Sequence, residues 1–439
     1  MEETSPTPAD SQSINSMDTL LTSFENLHVN NLGFQVNNHG FPSQSPAPSP
    51  SNYGSALWPS CFQDSLWSAS TLQSPFTRGC HPSLNAYGAY PNHHSLTAMN
   101  TAVHKYDFEP KSQLVQDKSI IQLALTLDGS QRLQSLLLSN DVSWVDIIFE
   151  GVIGYIFRLM ADQFGHQVFG NLIQFCDEYQ QQIMVENLTA YPDAFIEISL
   201  DRYGSPSVKR LIKLLQKSPL VTDLVNTLCT GFYDLMIHRT GSHVILYCLD
   251  TLDPEDNKPF YEAAISNSLK LATHQNGCLS LNNFITLVKG HYRNQFLEWV
   301  SKEAVCLSKD PFGNFVVQHV LDLHHPHFTR KICYRLQDHY TKISMLKGGS
   351  HVVEKCLKTS HRDCAVVEFI NSDQLVQVSK DQFGNYVIQT ALKETKSVKS
   401  PLYERLVSKL RSNSEALQRG HGKNVLNLIH APQMNSSSF

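Results

Sequence analysis

Asp310-Pro311-Phe312-Gly313-Asn314-Phe315-Val316-Val317-Gln318 and Asp381-Gln382-Phe383-Gly384-Asn385-Tyr386-Val387-Ile388-Gln389 are two copies of one phrase. Gly348-Gly349-Ser350-His351-Val352-Val353-Glu354, between them, is a third. Asn314 and Ser350 lie 36 positions apart, and Ser350 and Asn385 lie 35 apart. A period of that length marks stacked helical units, because one short helix group cannot bury its apolar face alone and must share it with its neighbours.

The same register, a glycine followed by a small or polar residue, extends outward from these three. It recurs at Gly129-Ser130, Gly165-His166, Gly204-Ser205, Gly241-Ser242 and Gly277-Cys278, and after the trio at Gly422-Lys423. The nine second residues are spaced 36, 39, 37, 36, 36, 36, 35 and 38 positions apart. Nine units in one phase predict an all-α chain, a solenoid of stacked helical repeats.

One unit shows the physics. At about 100° per residue, Gln318 falls roughly 40° from Asn314 and Phe315 about 100° from it, while Val316, Val317, Val320 and Leu321 share the arc from about 200° to 340°. The apolar arc faces the core, and the other presents an amide, a ring and a second amide to the outside. Asp310-Pro311-Phe312-Gly313 makes the turn into the helix, and an Asn or Ser in the position of Asn314 is expected to cap its start.

Outside this domain the composition changes. Residues 1–110 hold 11 of the 20 prolines, with eight acidic and two basic side chains, and the rest of the chain holds 32 acidic and 33 basic. Residues 1–102 read as a disordered Ser/Pro/Asn-rich tail, since proline at that density blocks helices and apolar residues are too few for a core. Trp58, Phe62 and Trp67 read as scattered aromatics in that tail. The near-neutral balance of the helical part argues against a protein that grips phosphates by bulk charge alone.

The ten cysteines contain no CxxC pair and sit mostly in apolar helical stretches, so free buried thiols in a reducing compartment are expected. The N-terminus is polar and acidic, unlike a secretory signal. Residues 145–161, the most apolar run, are interrupted by Asp146, Glu150 and Arg158, so no membrane span is expected. His319, His324, His325 and His327 cluster in sequence without the spacing of a zinc site. Arg419-Gly420-His421-Gly422-Lys423 lacks the spaced glycines of a phosphate loop. No nucleophile, base and orienting group can be assembled. The expectation is a non-enzymatic monomer with no metal and no cofactor.

The trios themselves suggest a ligand. Two amides four residues apart supply donors and acceptors in one plane, which suits the acceptor–donor–acceptor edge of uracil. A carboxylate such as Glu354 accepts the two adjacent N–H donors found only on guanine, and a small residue with Gln suits adenine. The ring between them can stack on the base, worth about 1–3 kcal/mol.

On these motifs the chain resembles the Pumilio (PUF) family of RNA-binding proteins, in which each helical repeat reads one base. The resemblance spans residues 103–439 and implies a curved α-solenoid of eight three-helix repeats with capping half-repeats. The three quoted phrases are similar to the family's sixth, seventh and eighth repeats, the unit at Lys423 to its C-terminal cap, and residues 103–118 to its N-terminal cap. The resemblance implies an RNA strand running antiparallel to the protein. Asn385, Tyr386 and Gln389 then imply U, Ser350, His351 and Glu354 imply G, and Asn314, Phe315 and Gln318 imply U, giving 5′-UGU. Ser130 and Gln134 imply A at the far end, with Gln131 as the stacker.

The middle repeats depart from that pattern. They carry His166, Gln167 and Gly170; Ser205, Pro206 and Lys209; Ser242, His243 and Leu246; and Cys278, Leu279 and Asn282. Gly170 has no side chain to reach a base, Leu246 reads nothing polar, and Lys209 offers donors only. The expected RNA-binding set nevertheless includes Ser242, His243, Cys278 and Asn282, with base preference relaxed beyond UGU. The resemblance further implies binding to 3′ untranslated regions of mRNA, control of translation and mRNA stability in the cytoplasm, and effector proteins recruited through the tail or the convex face. The alternative reading is a helical scaffold for protein partners in which RNA specificity is largely lost.

Overall fold

The computed structural model describes residues 120–139 and 142–430, which are helices joined by short turns with no strand among them. The tail at 1–102 and the expected N-terminal cap at 103–118 lie outside the described residues, as do Trp58, Phe62 and Trp67.

The helices fall into repeats of three. Repeat six comprises Gly290–Lys302, Ala304–Lys309 and Gly313–Asp322; repeat eight comprises Asp363–Asn371, Leu375–Lys380 and Gly384–Ser397. The C-terminal unit has the same three parts, Leu402–Arg411, Ser414–Leu417 and Gly422–His430. Repeat five differs in detail, because one helix, Lys258–Ala272, stands where its neighbours have two.

The last helix of each repeat carries the trio. These ladder helices are Leu127–Leu137, Gly165–Phe175, Gly204–Leu215, Ser242–Thr251, Gly277–Leu287, Gly313–Asp322, Lys347–Leu357, Gly384–Ser397 and Gly422–His430. Each packs on the ladder helix of the next repeat, from first to last. The apolar arc behaves as its spacing requires. Val316, Val317, Val320 and Leu321 are buried, as are Val352, Val353, Cys356 and Leu357, and Val387, Ile388, Ala391 and Leu392. Each valine, isoleucine or leucine among them contributes about 1.5–3 kcal/mol by leaving water.

The repeating glycine has a packing cause. A Cβ on Gly313 would stand 3.0 Å from the Leu307 carbonyl oxygen, on Gly277 2.7 Å from that of Leu271, and on Gly384 2.5 Å from that of Val378. The helix before the ladder helix ends against its first turn in these repeats, and only a residue without a side chain fits there.

Candidate nucleic-acid interface

In seven of the eight repeats the residue four positions before the trio caps the ladder helix; repeat seven has Leu346 there and no side-chain cap. The Asp310 carboxylate accepts from the N–H groups of Phe312 (2.9 Å) and Gly313 (2.7 Å), and Asp381 accepts from Phe383 and Gly384 (both 2.9 Å). Asp162 and Asp201 do the same in repeats two and three, and the Thr126 hydroxyl accepts from Gly129 in repeat one. In repeats four and five histidine takes over. His238 Nδ1 accepts from Thr240 and Gly241, and His274 Nδ1 from Asn276 and Gly277. Burial lowers the pKa of both rings, which keeps Nδ1 a neutral acceptor. The expectation that Asn314 or its counterparts cap the helix is therefore corrected: satisfying the orphan N–H groups falls to the residue one turn earlier.

Asn314 and Asn385 do something else. They are 1% and 0% exposed, not displayed to solvent as the helical wheel suggests. Asn314 Nδ2 donates to the carbonyls of Asp310 and Pro311, both at 2.9 Å, and Asn385 Nδ2 to those of Asp381 (2.8 Å) and Gln382 (3.0 Å). The free end of each amide, Oδ1, accepts from the glutamine four residues on, Gln318 at 2.9 Å and Gln389 at 3.0 Å. The pair is thus a fixed unit. The asparagine aims the glutamine, and the glutamine keeps its Oε1 and one N–H for a ligand. Tyr386 stands 57% exposed beside this unit, and Phe315 is half-buried.

In repeat seven Ser350 turns its hydroxyl onto the Lys347 carbonyl at 3.0 Å. The exposed His351 ring lies 3.7 Å from Glu354, whose other oxygen accepts from Thr390 of repeat eight at 3.2 Å. The carboxylate is held from two sides with lone pairs to spare. Lys355 is bound to Asp322 at 2.5 Å, so its charge is answered within the protein.

The remaining trios differ in what they leave free. In repeat one Ser130 bonds the Leu127 carbonyl, Gln131 is exposed, and the Gln134 amide is shared with Gln167 (3.4 Å) and Asn171 (3.1 Å) of repeat two. In repeat two His166 Nδ1 bonds the Asp162 carbonyl at 3.0 Å, and its ring stacks on Tyr203, with centroids 5.0 Å apart. In repeat three Ser205 is buried, while Pro206 and Lys209 are half-buried. In repeat four Ser242 is buried beside an exposed His243 and a half-buried Leu246. In repeat five Cys278 is buried, its thiol donates to the Gln275 carbonyl, and desolvation pushes its pKa up to about 12. Asn282, expected to face a base, is 7% exposed and donates instead to the Phe315 carbonyl of repeat six at 3.4 Å. It stitches two ladder helices together.

Away from the ladder, His291, His325 and His327 line an open groove of about 610 Å³ with Trp299 and Phe328. His319 lies on the ladder instead, with Nε2 3.1 Å from the Thr286 hydroxyl. Among the described residues no three His, Cys, Asp or Glu side chains are grouped to hold a metal ion, and no helix is long and apolar enough to cross a membrane. None of the described cysteines forms a disulfide, and most are buried, with Cys306 exposed.

The capping histidines had a legible signal, namely that position four before the trio is Thr, Asp or His in seven of nine units. The inward turn of Asn282 had none, because neighbouring helices decide it.

A model of the "Pumilio-family RNA binding repeat" matches residues 155–189, 231–262, 267–298, 304–323, 347–363 and 374–399. The chain is 34% identical over 314 residues to "Pumilio homolog 12" of Arabidopsis thaliana, covering 71% of this chain and 52% of that protein. It is 34% identical over 282 residues to "Pumilio homolog 18" of the same plant, covering 62% of this chain and 84% of that one. It thus spans about half the length of the first relative and most of the second. Among solved structures it is similar to the Puf4 RNA binding domain bound to an HO endonuclease RNA 3′ UTR recognition sequence. That match has a TM-score of 0.61 and 27% identity, and covers 72% of this chain and 100% of the other.

Proposed function

The chain belongs to the Pumilio family, and from that premise we propose that it is a non-enzymatic, sequence-specific reader of single-stranded RNA with a 5′-UGU core. The observation that carries the reading is the fixed Asn–Gln unit of repeats six and eight, on either side of Glu354.

A glutamine amide alone could pair with either uracil or adenine, because both edges offer one donor beside one acceptor. The asparagine removes that freedom. With one Nε2–H held by Asn Oδ1, the glutamine presents its other N–H and its Oε1 in a set order, to a uracil carbonyl and N3–H. Where serine replaces asparagine, as at Ser130, no asparagine sets the order of the glutamine amide, which is held instead by Gln167 and Asn171 of repeat two, and adenine is the base proposed for it. At Glu354 the carboxylate accepts the N1–H and N2–H of guanine, a pair of charge-assisted bonds. Tyr386, His351 and Phe315 supply faces on which bases stack.

In this reading the protein acts on 3′ untranslated regions in the cytoplasm and influences the translation and stability of mRNA, as a monomer that recruits effector proteins. The direct test is binding to an eight-nucleotide RNA beginning UGU against one beginning UCU. The loss should be about 1–3 kcal/mol, the typical cost of one wrong base. Glu354→Gln should erase that difference while leaving the dependence on both uracils. Equal binding of the two RNAs by the wild-type protein would leave the scaffold reading in its place.

A further inference from the structure

Gly170 holds the position at which repeats six and eight carry their reading glutamine, and the space beside it is filled. A Cβ on Gly170 would meet the guanidinium of Arg210, with Cζ at 3.1 Å and Cδ at 3.2 Å. Arg210 belongs to the ladder helix of repeat three, one position after Lys209. Its side chain is exposed, and no hydrogen bond or ion pair holds it among the described residues. The stretches matching the family repeat leave out Gly204–Leu215 altogether.

The reach across is a regular feature of this ladder. The residue five positions after the trio's first residue contacts the preceding repeat in several other places. Asn171 bonds Gln134, His319 meets Thr286, Lys355 binds Asp322, and Thr390 bonds Glu354. Only at Gly170 does the preceding repeat offer no side chain at its own edge position, so the arriving residue takes that place.

We infer that Arg210 is the edge-reading residue of repeat two, supplied by repeat three, and that it makes repeat two select cytosine. The inference deepens the proposed RNA reading and rests on it. A guanidinium is a rigid fork of donors with no acceptor, and it fits best where two acceptors lie side by side. On the Watson–Crick edge cytosine alone has such a pair, N3 and O2. Uracil sets an N–H between its two carbonyls, adenine has N1 alone, and guanine has O6 alone. The first residue of the trio agrees. His166 Nδ1–H donates to the Asp162 carbonyl, which leaves Nε2 as the ring nitrogen open to the cytosine amino group. That ring is held in place by its stack on Tyr203, over which the Arg202 guanidinium sits 4.3 Å from the centroid.

With the strand antiparallel to the protein, repeat two reads the seventh base. The experiment measures binding of the full chain to 5′-UGUAAANA with each of the four bases at N, and to the UCU counterpart of each. Wild-type protein should favour C by roughly five-fold or more, the low end for a two-point arginine contact to a base. Arg210→Ala should bring the four RNAs to within about two-fold of one another, with the preference for UGU over UCU unchanged. Arg210→Lys keeps the charge and loses the fork, and should lose the C preference as well.

Three results overturn the inference: no C preference in the wild type, an equal loss for all four bases in Arg210→Ala (the mark of a phosphate contact), or a C preference that survives in Arg210→Lys. A wild-type protein indifferent to UGU against UCU would bring down the proposed function, and this inference with it. Arg210 is exposed, so none of these variants should disturb folding, and unchanged thermal melting checks that.

Discussion

In repeats six and eight the first trio residue is asparagine, and it holds the glutamine four positions on at 2.9 and 3.0 Å. In repeats two to five the same two positions are His166 and Gly170, Ser205 and Lys209, Ser242 and Leu246, and Cys278 and Asn282. None of those four pairs forms a bond of that kind, yet the ladder helices under both regions pack in one uninterrupted row. The frame and the reading edge use different positions. Glycine before the trio, the cap four positions before it and the apolar residues behind it build the frame. The trio is left to vary, because little of the core rests on it. The difference teaches that a repeat can lose or exchange its reading chemistry and keep its place in the stack.

That separation can be broken experimentally. If the frame is common to both regions, Gly277→Ala and Gly384→Ala should destabilise the protein alike. Each added methyl meets a carbonyl oxygen, at 2.7 and 2.5 Å, and should cost about 2–3 kcal/mol in denaturant unfolding. A large loss at Gly384 with none at Gly277 would show that the middle repeats are differently held. The reading edge should respond in the opposite way. Tyr386→Ala should weaken binding to a UGU RNA by about 1–2 kcal/mol, within the range for one stacked base. Leu279→Ala, in repeat five, should cost less than half as much, and equal losses would erase the distinction between the two regions.

The smallest effect sharpens the comparison at the caps. His238 and His274 are neutral acceptors in the folded chain, with pKa values lowered by burial. A lowered folded-state pKa means that their contribution is complete above the unfolded value of about 6.5 and is lost as pH falls through the folded value. Protonation would remove the acceptor and set a positive charge at a helix N-terminus. Stability should therefore fall below about pH 6.5 by about 1 kcal/mol per cap. The variant with both His238→Asn and His274→Asn keeps an acceptor that does not titrate, and its pH profile should be flatter. His319, whose pKa is also lowered by desolvation, remains in both proteins and cancels in the difference. An unchanged profile would mean that the histidine caps carry little of the frame.

Much of this was legible in the chain itself. The phase of nine glycine-polar pairs predicts the ladder, and the arc of Val316, Val317, Val320 and Leu321 predicts its buried side. The wheel went wrong at Asn314. It assigns a direction to the Cα–Cβ bond but not to the amide beyond it, which turns back to the Asp310 and Pro311 carbonyls of the preceding turn. Asn282 and Gly170 were illegible for a different reason. What lies beside them comes from the next repeat, about 33 to 40 residues along the chain.

The sequence by itself determined the repeat, the register and the buried face of every ladder helix, because these depend on spacing along one chain and on the removal of apolar surface from water. Only the tertiary structure decided which polar atoms are left over for a ligand. Asn385 gives its donors to its own turn, Glu354 is braced by Thr390, and the empty place at Gly170 is filled by Arg210. Hydrogen bonds and side-chain volumes are settled between neighbours in space, and in a solenoid the deciding neighbour is one repeat away.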